Sequence, residues 1–520
     1  MPKTAFCASI RSSSLNRQEG EKSLGDGESV YKAAVRWLSA HWLRILGLSA
    51  LVLVPVFWHT RIEAGDLGSH VYNAWLTQLI ERGQVAGLKV VWMWQNVLFD
   101  FLLAGFGKLA GLHAAEKTAV SIAVLVFFWG AFAFVSALNG RAPWLLVPCL
   151  AMFSYGWTFE AGFMNYYLSL GISFFALAIL WRAAGWRKFA ALGLAPLVML
   201  GHGVGLAWLL GAAAYLAIYQ IVRPSWRMPL FVAAVAALAI LRFFLFHHYV
   251  ADPERDPFYW FTGADQLAMS SPWYWTVAVA FLGVSATFIA WDVAQRKQEE
   301  APAAPMAISI HLYCLSLIGA YLLPDGIHFP LYSAALALIT PRLTLIAAIM
   351  LCAWLGALRP RRLHLAGFGI LALVFFAMLY RDTGRFNTME AKIEELVRAL
   401  PPGQRVLGTV LPPPHSRFIV QHIVDSACIG HCFSYGNYEP SSGAFRVRVL
   451  DTNPYVMEDG ESTSEMEDGT YIVQPEDLPA YQVYQCGPRY SNICIRPLAA
   501  GERNDEGGFH PGRKRPPGPN

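Results

Sequence analysis

Residues 43–58 read LRILGLSALVLVPVFW, and shortly after them comes Gly65-Asp66-Leu67-Gly68-Ser69-His70. The first run is apolar enough to enter a bilayer, so Asp66 falls just beyond a membrane exit, where water meets lipid. Holding a charge at that boundary is unfavourable, and a carboxylate there marks a functional position by default. Residues 71–82 follow as an expected helix that carries Tyr72, Asn73, Trp75 and Gln78. The rest of the chain reads as a scaffold for that loop.

The composition agrees. Of the 520 residues, 55% are hydrophobic and only 15% charged, where a soluble chain carries about 25% charged residues. Apolar runs near the ~20-residue bilayer length recur from Leu43 to Tyr380. The expected fold is an all-α polytopic membrane protein. The net charge of +4 calls for no nucleic-acid partner, because Lys and Arg cluster at the ends of apolar segments. The sequence shows no phosphate-binding glycine loop, no Ser-His-Asp signature and no paired-cysteine motif on the cytoplasmic side, which argues against an ATP-driven pump.

Residues 1–36 are polar and lack the apolar core and cleavage site of a secretory signal, so they are expected to form a disordered cytoplasmic leader. The first span then acts as an uncleaved anchor, and Arg36 and Arg44 before it put the N-terminus in the cytoplasm. Further spans are expected at residues 118–138, 143–157, 162–181, 189–200, 204–221, 230–249, 272–291, 308–323, 331–358 and 363–380, about eleven in all. Residues 90–110 are apolar but interrupted by Gln95, Asn96, Asp100 and Lys108. If they lie along the membrane without crossing it, the basic loops at Arg141, Arg182, Arg223, Arg296 and Arg359 all face the cytoplasm. Residues 37–380 then form the transmembrane domain, with a first outer loop at residues 59–117 and the C-terminus outside.

Beyond Arg381 the composition turns polar. Residues 389–400 are expected as an amphipathic helix with Ile393, Leu396, Val397 and Leu400 on one side, ended by Pro401-Pro402-Gly403. Short strands are expected at residues 405–410, 418–423, 471–474, 481–484 and 493–495. Residues 381–499 thus suggest a small extracytoplasmic α/β domain, followed by a disordered tail at residues 500–520. Within the domain, His422, Cys428, His431 and Cys432 invite a metal reading. Their spacing is not that of a zinc finger, and an oxidising compartment favours disulfides instead. Cys428 with Cys432 and Cys486 with Cys494 is one of three pairings, and the sequence does not choose among them.

The expected outer loops collect Asp66 and His70, Glu160, His202, the acids at residues 252–256 together with Arg255, and Asp325 with His328. Acids converging on one membrane face would supply a general base or a site for a divalent cation; an acid in a short loop is otherwise simply solvated. Glu160 stands among Tyr155, Trp157, Phe159, Phe163, Tyr166 and Tyr167, beside Asn165. Rings with an amide suit a sugar, and they equally suit an interfacial aromatic belt. His202, between Gly201 and Gly203, is either a ligand or proton carrier, or a histidine that bonds a carbonyl where two helices break. Arg342 beside Pro341 in an apolar segment should face a cavity and pair with an anion such as a phosphate.

This layout resembles that of GT-C glycosyltransferases. The likeness lies in a first span, an outer Asp in a loop with two membrane-parallel helices, many further spans and an outer C-terminal domain. It covers residues 43–380 and is one of architecture more than of sequence. Such enzymes are integral to the membrane and use polyprenyl-phosphate-linked sugars. The resemblance implies sugar transfer from that donor to a lipid, glycan or protein acceptor on the outer face of a bacterial inner membrane. Asp66 matches the acid of the family's first outer loop, as a lone acid and not a pair. Glu160 falls in the second outer loop, where Asp is more usual. Residues 71–82 and 90–110 would be the membrane-parallel helices. On this reading Asp66 and Glu160 are catalytic, and His70, Tyr72, Asn73, Asn165, Tyr166, His202, Arg255, His328 and Arg342 contact substrate. The partners are the bilayer, the donor and envelope-assembly proteins. The stretches Cys428-Ile429-Gly430-His431-Cys432-Phe433-Ser434-Tyr435 and Asn437-Tyr438-Glu439-Pro440 resemble those of bacterial multipass proteins and imply no activity. The competing class is a transporter or an assembly subunit for envelope polysaccharide. Transporters often carry internal repeats, and none is evident in this sequence.

Overall fold

The computed structural model describes residues 30–253, 261–269, 271–295, 304–330, 335–359, 361–410, 420, 422–486 and 492–504. Most of the expected leader, Arg255 with its acidic neighbours Glu254 and Asp256, half of the strand expected at residues 418–423, and the tail from residue 505 lie outside the described residues. Residues 1–52 and 53–520 form two compact units. In the first, the described residues are the start of helix α1 (Val30–Phe57); the elements below belong to the second.

That second unit is mostly helical. It opens with α2 (Leu67–Glu81), β1 (Leu88–Val90) and α3 (Leu98–Ala110). Then come α4 (Leu112–Asn139), α5 (Val147–Phe153), α6 (Trp157–Glu160), α7 (Met164–Arg182), α8 (Phe189–Leu192), α9 (Ala195–Gly201), α10 (Gly203–Ile221) and α11 (Arg227–His248). The helical part closes with β2 (Val250–Asp252), α12 (Pro272–Gln295), α13 (Ala304–Leu322), β3 (Gly326–His328), α14 (Ile339–Ala357) and α15 (Arg362–Arg398). Among the described residues, nine helices are long and apolar enough to cross a membrane; they lie in α1, α4, α7 and α10 to α15.

The other two expected spans, at residues 143–157 and 189–200, are broken into short pieces. Pro148 sits in the first turn of α5 and Pro196 in the first turn of α9. A proline lacks the N–H that would continue a preceding helix and starts a new one instead. Pro341 acts likewise: it lies in the first turn of α14, which begins after Leu338 at φ 57°, so the segment 331–358 is not one long helix. Residues 90–110 contribute only the 13-residue α3, too short to span.

Helices α7 and α14 are buried along most of their length, whereas α11 buries none of its residues. The tightest crossing is that of α4 with α7. A Cβ on Gly130 would lie 2.3 Å from the Gly171 carbonyl oxygen, so only glycine lets these backbones meet.

The C-terminal part contains β4 (Arg405–Thr409), α16 (Ile423–Cys428), β5 (Phe433–Ser434), α17 (Glu439–Ser442), β6 (Val447–Val449), α18 (Gly460–Asp468), β7 (Ala480–Cys486) and β8 (Asn492–Pro497). Its sheet has the order β5-β4-β7-β8, with β4 parallel to both neighbours and β7 antiparallel to β8. Three expected strands fall on β4, β7 and β8. Residues 471–474 make only an isolated bridge, Ile472 to Arg503, and the chain is already helical at Ile423. Cys428 is bonded to Cys432 and Cys486 to Cys494, which removes the sulfur ligands of a metal reading. Residues 500–504, expected to open a disordered tail, are packed on the fold: Asn504 is buried and donates from Nδ2 to the Met466 carbonyl at 2.7 Å.

The boundary expected at Arg381 is no break in the structure. Helix α15 runs through it unbroken for 37 residues. Tyr72, Leu76, Val85 and Leu88 from the segment before α4 share one core with Ile393, Val397, Val406, Val424 and Val483, and β1 pairs antiparallel with β6. Helix α2 places Tyr72 and Leu76 one turn apart, and this apolar stripe must be covered. The four-stranded sheet and the end of α15 cover it.

The start of α2 is fixed from the other side by the turn between α6 and α7. Gly65 N donates to the Glu160 carbonyl at 2.7 Å and Asp66 N to the Ala161 carbonyl at 3.1 Å. Gly162 has φ +83°, and a Cβ there would sit 2.4 Å from Asp66 N. A left-handed backbone costs a non-glycine residue about 1–2 kcal/mol before any clash. Gly162→Ala is therefore expected to lower the thermal midpoint of the detergent-solubilised protein measurably; an unchanged midpoint would contradict this packing.

Candidate functional site

A cavity of about 950 Å³ lies among the helices and ends at Asp66. Its walls are apolar, with Ala207 and Gly211 from α10, Leu238 and Leu241 from α11, Leu315 and Gly319 from α13, and Leu343 and Ile346 from α14. Helix α11 forms its wall as a single layer, since Ile240 and Phe243 on the same helix are exposed. The other end is polar, lined by Asp66, His70, Gln95, Asn96, Asn165, Tyr166, His202, Arg342 and Tyr438.

Local structure explains how these side chains arrive. His202 is the extended residue between α9 and α10, and its Nδ1 accepts from Val204 N at 3.1 Å, capping α10. Burial, and then the Arg342 charge, hold its basicity well below that of an ordinary histidine. The neutral ring therefore carries its proton on Nε2. The polar interruptions in residues 90–110 have a related task. Asn96 N and Val97 N donate to the Gly201 and Leu200 carbonyls at 3.1 and 3.0 Å, satisfying acceptors that the end of α9 leaves over. This brings Gln95 and Asn96 to the cavity.

Asn165, in the first turn of α7, accepts from Phe99 N at 2.7 Å through Oδ1. Its Nδ2 is buried and, among the described residues, has no hydrogen-bond partner. Tyr166 donates its hydroxyl proton to the Arg342 carbonyl at 2.7 Å. The Arg342 side chain donates to the Ala337 and Leu338 carbonyls and stands 4.1 Å from the centre of the Phe163 ring, a cation–π arrangement that steadies a charge out of water.

Asp66 lies between two histidines. His422 Nε2 is 3.7 Å from its Oδ1, and His70 also lines the cavity end. Each histidine is backed by acids. His70 Nδ1 is 3.0 Å from Asp100 Oδ1 and 3.8 Å from Glu439 Oε1. His422 Nδ1 is 3.5 Å from Asp425 Oδ2 and 3.8 Å from Glu467 Oε1. Burial opposes the charge on both rings, but the carboxylates outweigh it. Asp100, then Glu439 and Asp66, raise His70 to about 9, and Asp425, Glu467 and Asp66 raise His422 to about 10. Burial raises Glu467 to about 7 and also raises Glu439.

The expected site residues thus divide. Asp66, His70, Asn165, Tyr166, His202 and Arg342 converge on one cavity. Glu160 does not line it: its carbonyl faces the Asp66 turn, while its carboxyl is buried elsewhere. Burial and then the Asp382 carboxylate push that carboxyl well above the usual range. Tyr72 and Asn73 also turn away. The Tyr72 hydroxyl accepts from Ser434 N at 3.0 Å, and Asn73 exchanges hydrogen bonds with Asn437 at 2.9 and 3.2 Å, so both fasten α2 to the outer sheet. His328 is exposed on β3. Arg255 lies outside the described residues. Missing from the expected set are Asp100 and Glu439, the partners of His70, and Tyr438 from the outer domain. Asp100 signalled itself as an acid within an apolar run; the other two gave no sign of reaching this loop.

Among the described residues, no three or more His, Cys, Asp or Glu side chains are arranged to hold a metal ion. Comparison of the chain with protein-family models, with curated proteins and with solved structures returned no match.

The acid–histidine cluster makes stability depend on pH. His70, His422, Glu439 and Glu467 all bind protons more tightly folded than unfolded, so the folded state holds more protons and stability falls as pH rises. For the histidines the loss begins near their unfolded value of 6.5 and is complete above about 9 to 10. The thermal midpoint is expected to fall steadily from pH 6.5 to pH 10, and less steeply in His422→Gln; a midpoint that rises over this range would contradict the cluster.

Proposed function

We propose that this chain is a membrane glycosyltransferase of GT-C type. It moves a sugar from a polyprenyl-phosphate donor to a lipid, glycan or protein acceptor on the extracytoplasmic face of a bacterial inner membrane. The observation that carries the reading is the cavity: about 950 Å³, lined mostly by apolar side chains along four helices and by a group of polar side chains around Asp66. Pockets for small ligands occupy roughly 300–1,000 Å³, so there is room for a headgroup and the first part of a lipid chain. Its shape of chemistry, a greasy length ending in polar groups, is that of a lipid-linked polar donor.

The polar end supports the division of roles. Arg342, the Nε2–H of His202 and the buried Nδ2 of Asn165 are all donors, which suits the phosphate of the donor and the charge it gains on leaving. Asp66 is the carboxylate at that end and is the general base. It takes the acceptor hydroxyl proton as the oxygen bonds to the anomeric carbon and the bond from that carbon to the phosphate oxygen breaks. Glu160, buried away from the cavity, has no part in this step. The sidedness is supported by the basic residues at one set of helix ends and by the two disulfides of the C-terminal part, which fit an oxidising compartment.

In proteoliposomes supplied with a panel of radiolabelled polyprenyl-phosphate sugars, Asp66→Asn is expected to lower transfer by about 10²–10⁴-fold while leaving polyprenyl phosphate binding intact; transfer at the wild-type rate would end the mechanism. Arg342→Ala is expected to weaken polyprenyl phosphate binding by about tenfold or more, as loss of a hydrogen bond to a charged group does. Unchanged binding would remove Arg342 from the phosphate site.

A further inference from the structure

We infer that Tyr438 and Phe445, both from the C-terminal part, are the wall against which the sugar of the donor lies. The segment Asn437-Tyr438-Glu439-Pro440, to which the sequence assigned no activity, thereby takes part in selecting the group to be transferred. The inference rests on the proposed sugar transfer and adds to it the residues that hold the transferred ring.

Tyr438 and Phe445 both line the large cavity. Their rings are 5.2 Å apart between centroids and stand at 88° to one another, so they form an aromatic corner. Both residues are half-buried, which leaves part of each ring open to a ligand. Gln95 and Asn96 line the same cavity with their amides. A pyranose carries an apolar face of C–H groups and a rim of hydroxyls. Rings beside a few hydrogen-bonding groups match both. Arg342, His202 and Asn165 line this cavity too, so a sugar one bond away from a phosphate held there comes within reach of the corner.

The corner is built before a ligand arrives. On one side of Tyr438, Asn437 exchanges hydrogen bonds with Asn73 at 2.9 and 3.2 Å. On the other side, Glu439 accepts from Ser69 Oγ at 3.2 Å and lies 3.8 Å from His70 Nδ1. All three partners belong to α2, the helix that begins directly after Asp66. His422 stacks on the Tyr438 ring at 4.8 Å between centroids and fixes its plane. Phe445 is placed by the ribbon that follows it: β6 pairs with β1, and Val91 N donates to the Arg446 carbonyl at 2.8 Å. The same ribbon leads the chain on to Gln95. Rings, amides and the Asp66 carboxylate are therefore ordered as one unit, and side chains already in place spare the entropy that binding would otherwise cost.

The test compares two kinds of probe on the full-length protein in nanodiscs: undecaprenyl phosphate, and undecaprenyl phosphate carrying glucose, mannose, galactose or N-acetylglucosamine. No acceptor is present, so a sugar contact made only with the acceptor is not read. The readout is the preference, the affinity for the best sugar-linked lipid divided by that for the bare lipid. Tyr438→Ala is expected to lower this preference about tenfold, the size of a lost ring contact. Tyr438→Phe keeps the ring and is expected to stay near the wild-type preference. Phe445→Leu, in a different segment, is expected to lower it as well, so the outcome does not hang on one variant. A preference unmoved in both Tyr438→Ala and Phe445→Leu, equal losses in Tyr438→Phe and Tyr438→Ala, or a wild-type protein that prefers none of the sugar-linked lipids would overturn the inference. A wild-type protein that binds neither kind of probe would instead remove the reading of the cavity on which the inference rests.

Discussion

Two backbone hydrogen bonds, from Gly65 N to the Glu160 carbonyl and from Asp66 N to the Ala161 carbonyl, hold the site together. They join the turn before α2 to the turn before α7, and they work only because Gly162 carries no side chain where the two strands of chain meet. A loop beside a membrane helix has few apolar contacts to order it. Tying its backbone to a second, buried turn gives the Asp66 carboxylate a fixed direction. The same joint explains why a short helix rich in rings lies so close to the cavity without contributing its acid to it.

The opposite face of α2 is fastened by the C-terminal part. Tyr72 and Leu76 enter a core built by the end of α15 and the outer sheet, and Ser69 donates to Glu439 at 3.2 Å while Asn73 bonds Asn437. The C-terminal part is therefore no appendage: Tyr438 lines the cavity, Glu439 backs His70, and His422 stands beside Asp66. The cavity end is composite, drawn from chain segments more than three hundred residues apart. Apolar helices wall the cavity, and the neutral and cationic donors of Asn165, His202 and Arg342 line it together with a carboxylate that has a histidine on each side. Gathering five carboxylates around two buried imidazoles would be unfavourable for either set alone; each offsets the charge of the other.

Much of this was legible in the sequence, and the reasons for the failures are physical. Asp66 could be read because an acid just past an apolar run has few structural excuses. His202 between two glycines and Arg342 inside an apolar segment stood out on the same ground, and both reach the cavity. Glu160 was legible as buried from the rings around it, but the direction of a side chain on a four-residue helix is set by tertiary contacts with no local trace. Tyr72 and Asn73 share a helix with His70, yet the face they occupy belongs to an outer domain whose pairing residues lie far along the chain. Two of the expected spans are made of shorter helices, because hydropathy sees the apolar residues around Pro148 and Pro196 and not the helix starts those prolines impose. The disulfide pairing needed the antiparallel pairing of β7 with β8, which brings Cys486 and Cys494 together and which spacing alone does not dictate.

The most direct test of the account is an experimental density map of the full-length protein in nanodiscs with a polyprenyl phosphate present. The account predicts the phosphate beside Arg342, His202 and Asn165, with the chain running between α10, α11, α13 and α14 and the Asp66 carboxylate facing the headgroup. A lipid phosphate bound elsewhere, with Asp66 turned into bulk solvent, would contradict it.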